Sequence, residues 1–199
     1  MAHNNQTQKP TIYIGLGGTG NLAISYTKKL YEEEYGKGEI PKSVAFVTVD
    51  FQTDMDRSSL LATDITNDFI KITTTTNPKE HYRVRRDEEG EYQWMFENNQ
   101  GNLDNKISKG AKAVRTTGRL YTEMVLSTVM NQLRTIIGRV KSFGNNASAS
   151  DDIMIYMVMS LAGGTGAGSF ITLANQIKIE FGNKVTLYGY GVTHNVFKA

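Results

Sequence analysis

Apolar residues in this chain fall into short solid runs separated by stretches of helical period. Thr11 to Leu16, behind Pro10, is such a run and predicts a strand. Leu22, Ala23, Tyr26 and Leu30 follow at helical spacing, and Gly36 and Gly38 close the helix. Ser43 to Val49 is a second apolar strand, ending at Asp50. Together these make a βαβ unit, so the two strands should be parallel with a right-handed crossover. Phe69 to Thr74 is strand-like through its β-branched residues, and Ser58 to Ala62 reads as a short helix before it. Leu120 to Val140 should be the longest helix, with Leu120, Met124, Val125, Leu133, Ile136, Ile137 and Val140 as its buried stripe. Phe143 to Ser150 reads as a flexible connection. Ile153 to Leu161 is nearly continuous in apolar character, as a central parallel strand should be. Phe170 to Phe181 is amphipathic, and Lys184 to Val192 is the last strand. The alternation predicts an α/β fold: a mostly parallel sheet with helices on both faces.

Residues 78–105 interrupt this rhythm and are the most polar part of the chain. Their expected form is a β-hairpin turning at Glu89-Gly90, with Tyr82, Val84, Tyr92 and Trp94 packing down. The competing reading is a partner-binding insertion anchored by Tyr92, Trp94 and Phe96.

Composition narrows the classes. The 199 residues suit one domain or part of a larger one, carry a net charge of +2 and include no cysteine. Disulfides and thiolate metal sites are thereby excluded. No apolar run reaches the roughly 18 residues of a membrane span, and nothing marks a nucleic-acid or membrane surface. Met1 to Lys9 is polar and not a signal peptide. A cytoplasmic protein is expected, with a disordered arm at 1–10 and one folded domain at 11–199. Asp151-Asp152 reads as a solvated turn. His194 has no nucleophile paired with it by any motif, so a catalytic triad is unsupported.

The chemistry concentrates in glycine loops. Gly163, Gly164, Gly166 and Gly168 bare the turn between a strand and a helix. Main-chain N–H groups can converge there on an anion, where the helix dipole favours negative charge. Thr165 and Ser169 add hydroxyls. The loop is not a Walker loop: it lacks the Gly-Lys-Ser/Thr ending. Gly15-Leu16-Gly17-Gly18-Thr19-Gly20 follows the first strand and also satisfies GxGxxG. With Asp50 it mimics a dinucleotide fingerprint, although Asp50 lies 30 positions past Gly20 rather than about 20.

Gly163-Gly164-Thr165-Gly166-Ala167-Gly168 resembles, at every position, the signature loop of the tubulin/FtsZ superfamily. The family also has a glycine-rich first loop, and Val49-Asp50-Phe51-Gln52 resembles its second. Gly110, Ala111, Ala113, Gly118 and Arg119 fit its third loop, with Val114 and Arg115 where the family usually has asparagine and proline. Gly191 to Phe197 resembles its fifth. The resemblance implies a three-layer fold that binds GTP or GDP, with Mg2+. The implied binding residues are Gly15, Gly17, Gly18, Thr19, Gly20, Asn21, Asp50, Gly110, Ala111, Gly163, Gly164, Thr165, Gly166, Ala167, Gly168 and Ser169; Lys112 and Arg115 are candidates to offset phosphate charge. Valine at Gly164 or Gly166 is expected to fill the anion site. The complete protein should assemble into filaments and hydrolyse GTP, its neighbour supplying the catalytic acids. The central helix and second domain lie beyond this sequence, so no catalytic residue is assigned and little turnover is expected of the chain alone. Two rivals stand: a Rossmann NAD(P)-dependent oxidoreductase, and a scaffold that binds only protein partners.

Overall fold

A computed structural model describes residues 9–51, 69–95, 103, 110–111, 113–144 and 152–193. The expected helix at Ser58 to Ala62, most of the N-terminal arm, Phe96, Lys112, Asp151 and His194 lie outside them. Five strands form one parallel sheet in the order β3-β2-β1-β4-β5. They are β1 (Thr11–Leu16), β2 (Val44–Asp50), β3 (Phe69–Lys71), β4 (Ile153–Ser160) and β5 (Val185–Val192). The helices are α1 (Gly17–Tyr35), α2 (Pro78–Asp87), α3 (Arg115–Met124), α4 (Leu126–Phe143) and α5 (Gly164–Phe181). Among the described residues, no helix is long and apolar enough to cross a membrane.

Side chains alternate across the strands, so each face of the sheet has its own core. Ile12, Ile14, Val47, Ile155 and Met157 pack with α4 and α5 in the main core. Tyr13, Val44, Phe46 and Val158 pack with Ile24 and Tyr31 of α1 on the other face. On that second face Phe46, Tyr13, Tyr156 and Tyr188 stack in register across four strands, with centroids 5.2, 5.2 and 5.1 Å apart.

Several elements depart from the sequence pattern. Residues 78–87 are helix α2, not a hairpin arm. Asn77 caps it, its Oδ1 accepting from Lys79 N at 3.0 Å and Glu80 N at 3.3 Å, and Pro78 presets the first turn. The chain then turns through Gly90 at φ 68°. Tyr82, Tyr92 and Trp94 do come together, around Met95, Leu103 and Leu120; Val84 stays half-buried outside that cluster. The basic and acidic runs pair with each other: Arg85 bridges Glu89 and Glu91.

The expected long helix is broken at Val125 into α3 and α4. Thr122 Oγ1 bonds back to Gly118 O at 2.8 Å, a contact that bends helices. Helix α1 also presents an unexpected face. Leu22, Tyr26 and Leu30 are 42%, 51% and 63% exposed, whereas Gly17, Gly20, Ile24 and Ser25 are buried. A Cβ on Gly20 would lie 2.2 Å from Val158 O, so the helix backbone rides directly on the sheet. That contact, rather than the apolar stripe, fixes how α1 is rotated.

Candidate functional site

Both glycine loops are the first turns of helices, α1 beginning at Gly17 and α5 at Gly164. The chain leaves β1 toward one face of the sheet and leaves the adjacent β4 toward the other. Their carboxyl ends therefore form a topological switch point, where open α/β sheets bind ligands. The two loops touch there: a Cβ on Gly17 would be 3.2 Å from Gly166 N and from Thr165 Cβ. Neither helix has a side-chain N-cap, and neither has an acid in its first turn. Their leading N–H groups and positive dipole ends thus meet at one place with no acid in the first turn of either helix.

The loop glycines divide by what surrounds them. A Cβ on Gly164 would meet Val114 N at 2.7 Å and Ala111 Cβ at 2.8 Å. On Gly166 it would meet Leu16 O at 2.7 Å, and on Gly168 Arg115 O at 2.3 Å. Gly15 and Gly20 press on each other's backbone in the same way. These positions are bare so that backbone can pack on backbone. The expected reason for a Gly164→Val or Gly166→Val defect, an occupied anion site, is therefore replaced by a collision inside the protein. Gly18 is different: it is exposed, with nothing within 4 Å of a Cβ. Gly163 has only ordinary contacts with Ser160, the nearest at 3.7 Å.

The third loop braces this arrangement. Gly110 and Ala113 both have positive φ, 89° and 62°, and Val114 N closes a turn onto Ala111 O at 2.8 Å. Ala111 is buried against Gly164. Arg115 Nη2 donates to Leu161 O at 2.7 Å, tying the head of α3 to the signature loop instead of reaching out as a free charge. Farther along, Gly118 lies against Gly164 O, and Thr122 Oγ1 meets Ser169 Oγ at 2.8 Å. Ser169 is fully buried; with the Thr122 proton on Gly118 O, the Ser169 hydroxyl is the donor that can clamp α3 to α5, and Thr165 O at 2.7 Å is its alternative acceptor. Sequence reasoning did not find Gly118 and Thr122 as partners of that clamp; the spacing Gly164-x-x-x-Gly168, two small residues on one helix face, is a signal that could have pointed to it. Asn21 is likewise engaged, its Oδ1 accepting from Thr48 Oγ1 at 2.8 Å. Thr19 and Ala167 are half-buried in the first turns of α1 and α5.

Asp50 ends β2 beside the head of α5. Its Oδ1 accepts from Phe51 N at 2.7 Å, and Thr165 donates its hydroxyl to the carboxylate. Burial raises the carboxyl's pKa above the ordinary 3.8, and the two hydrogen bonds oppose that rise only in part. Among the described residues, no group of three or more His, Asp or Glu side chains converges on a metal position. Because its folded pKa exceeds its unfolded one, Asp50 stabilises fully below pH 3.8 and loses that contribution as pH rises through the folded value. Asp50→Asn is therefore expected to stabilise the nucleotide-free chain at neutral pH. Denaturant unfolding of both proteins at acidic and neutral pH checks this. A gap between them that fails to narrow on acidification contradicts it.

The sequence pattern of the family described as tubulin like matches residues 12–198. Two solved structures from Haloferax volcanii resemble the fold, each at 19% identity. One is CetZ2, described as a GTPγS-bound protofilament, with a TM-score of 0.52 over 91% of this chain and 39% of that one. The other is CetZ1, described as a GDP-bound monomer, with a TM-score of 0.54 over 92% of this chain and 41% of that one. The chain thus spans about two fifths of the length of either. No curated protein matches it. The strand order β3-β2-β1-β4-β5 is shared with dinucleotide-binding sheets and does not separate the two readings. The match over nearly the whole sequence does: this chain belongs to the tubulin-like family.

Proposed function

We propose that the chain is a guanine-nucleotide-binding domain that holds the phosphates at the paired heads of α1 and α5. The observation that carries this is the meeting of two uncapped, acid-free helix N-termini at a switch point. Family membership and the nucleotides named for the two solved relatives support it. Gly17, Gly18, Gly163 and the first N–H groups of each helix would take the phosphate oxygens. Gly110 and Ala111 shape the neighbouring wall. Gly164, Gly166, Gly168 and Ser169 hold the two loops in place.

Asp50 and Thr165 offer the oxygen donors that a hydrated Mg2+ beside phosphates takes, since that ion binds through one or two carboxylates plus waters. When bound, Mg2+ would neutralise phosphate charge. The fit also gives a buried carboxylate a use that offsets its cost. In the complete protein we place this domain in a cytoplasmic filament whose neighbouring subunit completes GTP hydrolysis.

Calorimetric titration with GTP, GDP, ATP and NAD tests the binding. GTP and GDP should bind, NAD should not, and Asp50→Asn should lower GTP affinity in Mg2+ more than in chelator. Binding of NAD alone would favour the oxidoreductase reading, and binding of none of them the scaffold reading.

A further inference from the structure

A cavity of about 450 Å³ lies at the amino end of β2, away from the glycine loops. Six steps of extended chain separate Val44 from Asp50, about 20 Å. The cavity is formed by the second half of α1, the entry to β2 and the end of α4. Strand β3 pairs only with Thr48, Val49 and Asp50. The amino half of β2 therefore has no partner strand on this side among the described residues. Its size falls in the range of small-molecule sites, roughly 300 to 1,000 Å³.

The lining has two characters. Phe46 and Phe143 contribute to an apolar floor. Lys28, Lys42 and Arg139 bring three cations from three separate elements, against one carboxylate, Glu32. Lys42 Nζ sits 5.3 Å from the centre of the Phe143 ring, which keeps its charge over the floor. Lys28 and Arg139 each engage another group as well, and none of the three cations sits in the last turn of a helix bordering the cavity. The last turn of α1 has no basic residue, and Lys141, not Arg139, is the basic residue in the last turn of α4. The carboxyl ends of both helices do border the site, and their partial negative charge disfavours a polyanion such as a triphosphate.

We propose that this cavity binds a small organic monoanion with an apolar body, an aliphatic or aromatic carboxylate or sulfonate, independently of the nucleotide. The apolar part fills the space over Phe46 and Phe143, and the acid group meets Lys42 and Arg139. Anilinonaphthalene sulfonate is a fluorescent probe of that chemistry, and octanoate is its aliphatic competitor.

The full chain should bind one equivalent of the dye saturably. Octanoate should displace the dye, and octylamine should not. Lys42→Glu and Arg139→Glu should each weaken dye binding by about tenfold, as loss of a charge-assisted contact does. Both positions are at the rim, and circular dichroism confirms that the variants are folded. Unchanged dye affinity in both folded variants overturns the proposal. So does loss of dye binding in Leu30→Lys, which would place the dye on the exposed stripe of α1 instead. Equal displacement by octylamine overturns it as well.

Discussion

Gly118→Ala and Gly168→Ala are each expected to destabilise the fold by about 3 kcal/mol or more, although each adds a single methyl group. The cause is the crossing of α3 and α5. A Cβ on Gly118 would lie 2.2 Å from Gly164 O, and one on Gly168 would lie 2.3 Å from Arg115 O and 2.6 Å from Arg119 N. These neighbours are backbone atoms, which cannot rotate aside as a side-chain end can. The helices must separate, and the buried pair of Thr122 and Ser169 hydroxyls then loses its 2.8 Å contact. Both loops are coupled to this crossing through Ala111 and Gly164, so nucleotide binding should fall with stability. Gly138→Ala is the control. Gly138 is an exposed position inside α4 with nothing within 4 Å, so alanine there should add up to about 1 kcal/mol through helix propensity. Thermal and denaturant unfolding of the three variants checks the contrast. Variants at Gly118 and Gly168 as stable as the wild type would mean that the helices are not in backbone contact.

Sheet and layers were legible in the sequence because buried parallel strands are solid apolar runs. Thr11 to Leu16 and Ile153 to Ser160 differ from their expected ends by one residue at most. The signature loop was legible because four glycines in six residues have few other uses. What was not legible depended on backbone proximity. The apolar spacing of Leu22, Tyr26 and Leu30 mimics a buried face, but Gly20 and Ser25 let α1 approach the sheet on its other side. Helix α2 was hidden by composition: a charged run suited a solvated hairpin, and the Asn77-Pro78 start was the signal passed over. Within the candidate site, residue type singled out the glycine loops but did not separate the glycines that face open space from those that face protein. That division depends on which side of each helix turn the missing Cβ would occupy.

Gly18→Val is the substitution that separates the two kinds. Valine there should leave stability within about 1 kcal/mol, since β-branching costs little in a first helical turn and no atom lies within 4 Å of the new Cβ. It should nevertheless lower GTP affinity about a hundredfold, or about 2.7 kcal/mol, because its branches would stand where phosphate approaches the head of α1. Gly163→Val serves as the matching change on α5. Its backbone, at φ −84° and ψ 158°, is open to any L residue, and the nearest atom is 3.7 Å away. Gly166→Val lacks this resolution, because its Cβ strikes Leu16 O at 2.7 Å and Met159 Cβ at 3.1 Å, and a lost signal there reports a damaged fold. Gly17 lacks it too, since its φ of 69° strains any side chain. Unfolding curves and GTP titrations on the same preparations distinguish the outcomes. Gly18→Val and Gly163→Val proteins that fold like the wild type and bind GTP equally well would remove the phosphates from the heads of α1 and α5. The close packing of those helices would stand unaffected, because it rests on other positions, Gly15, Gly20, Gly118, Gly164, Gly166 and Gly168 among them.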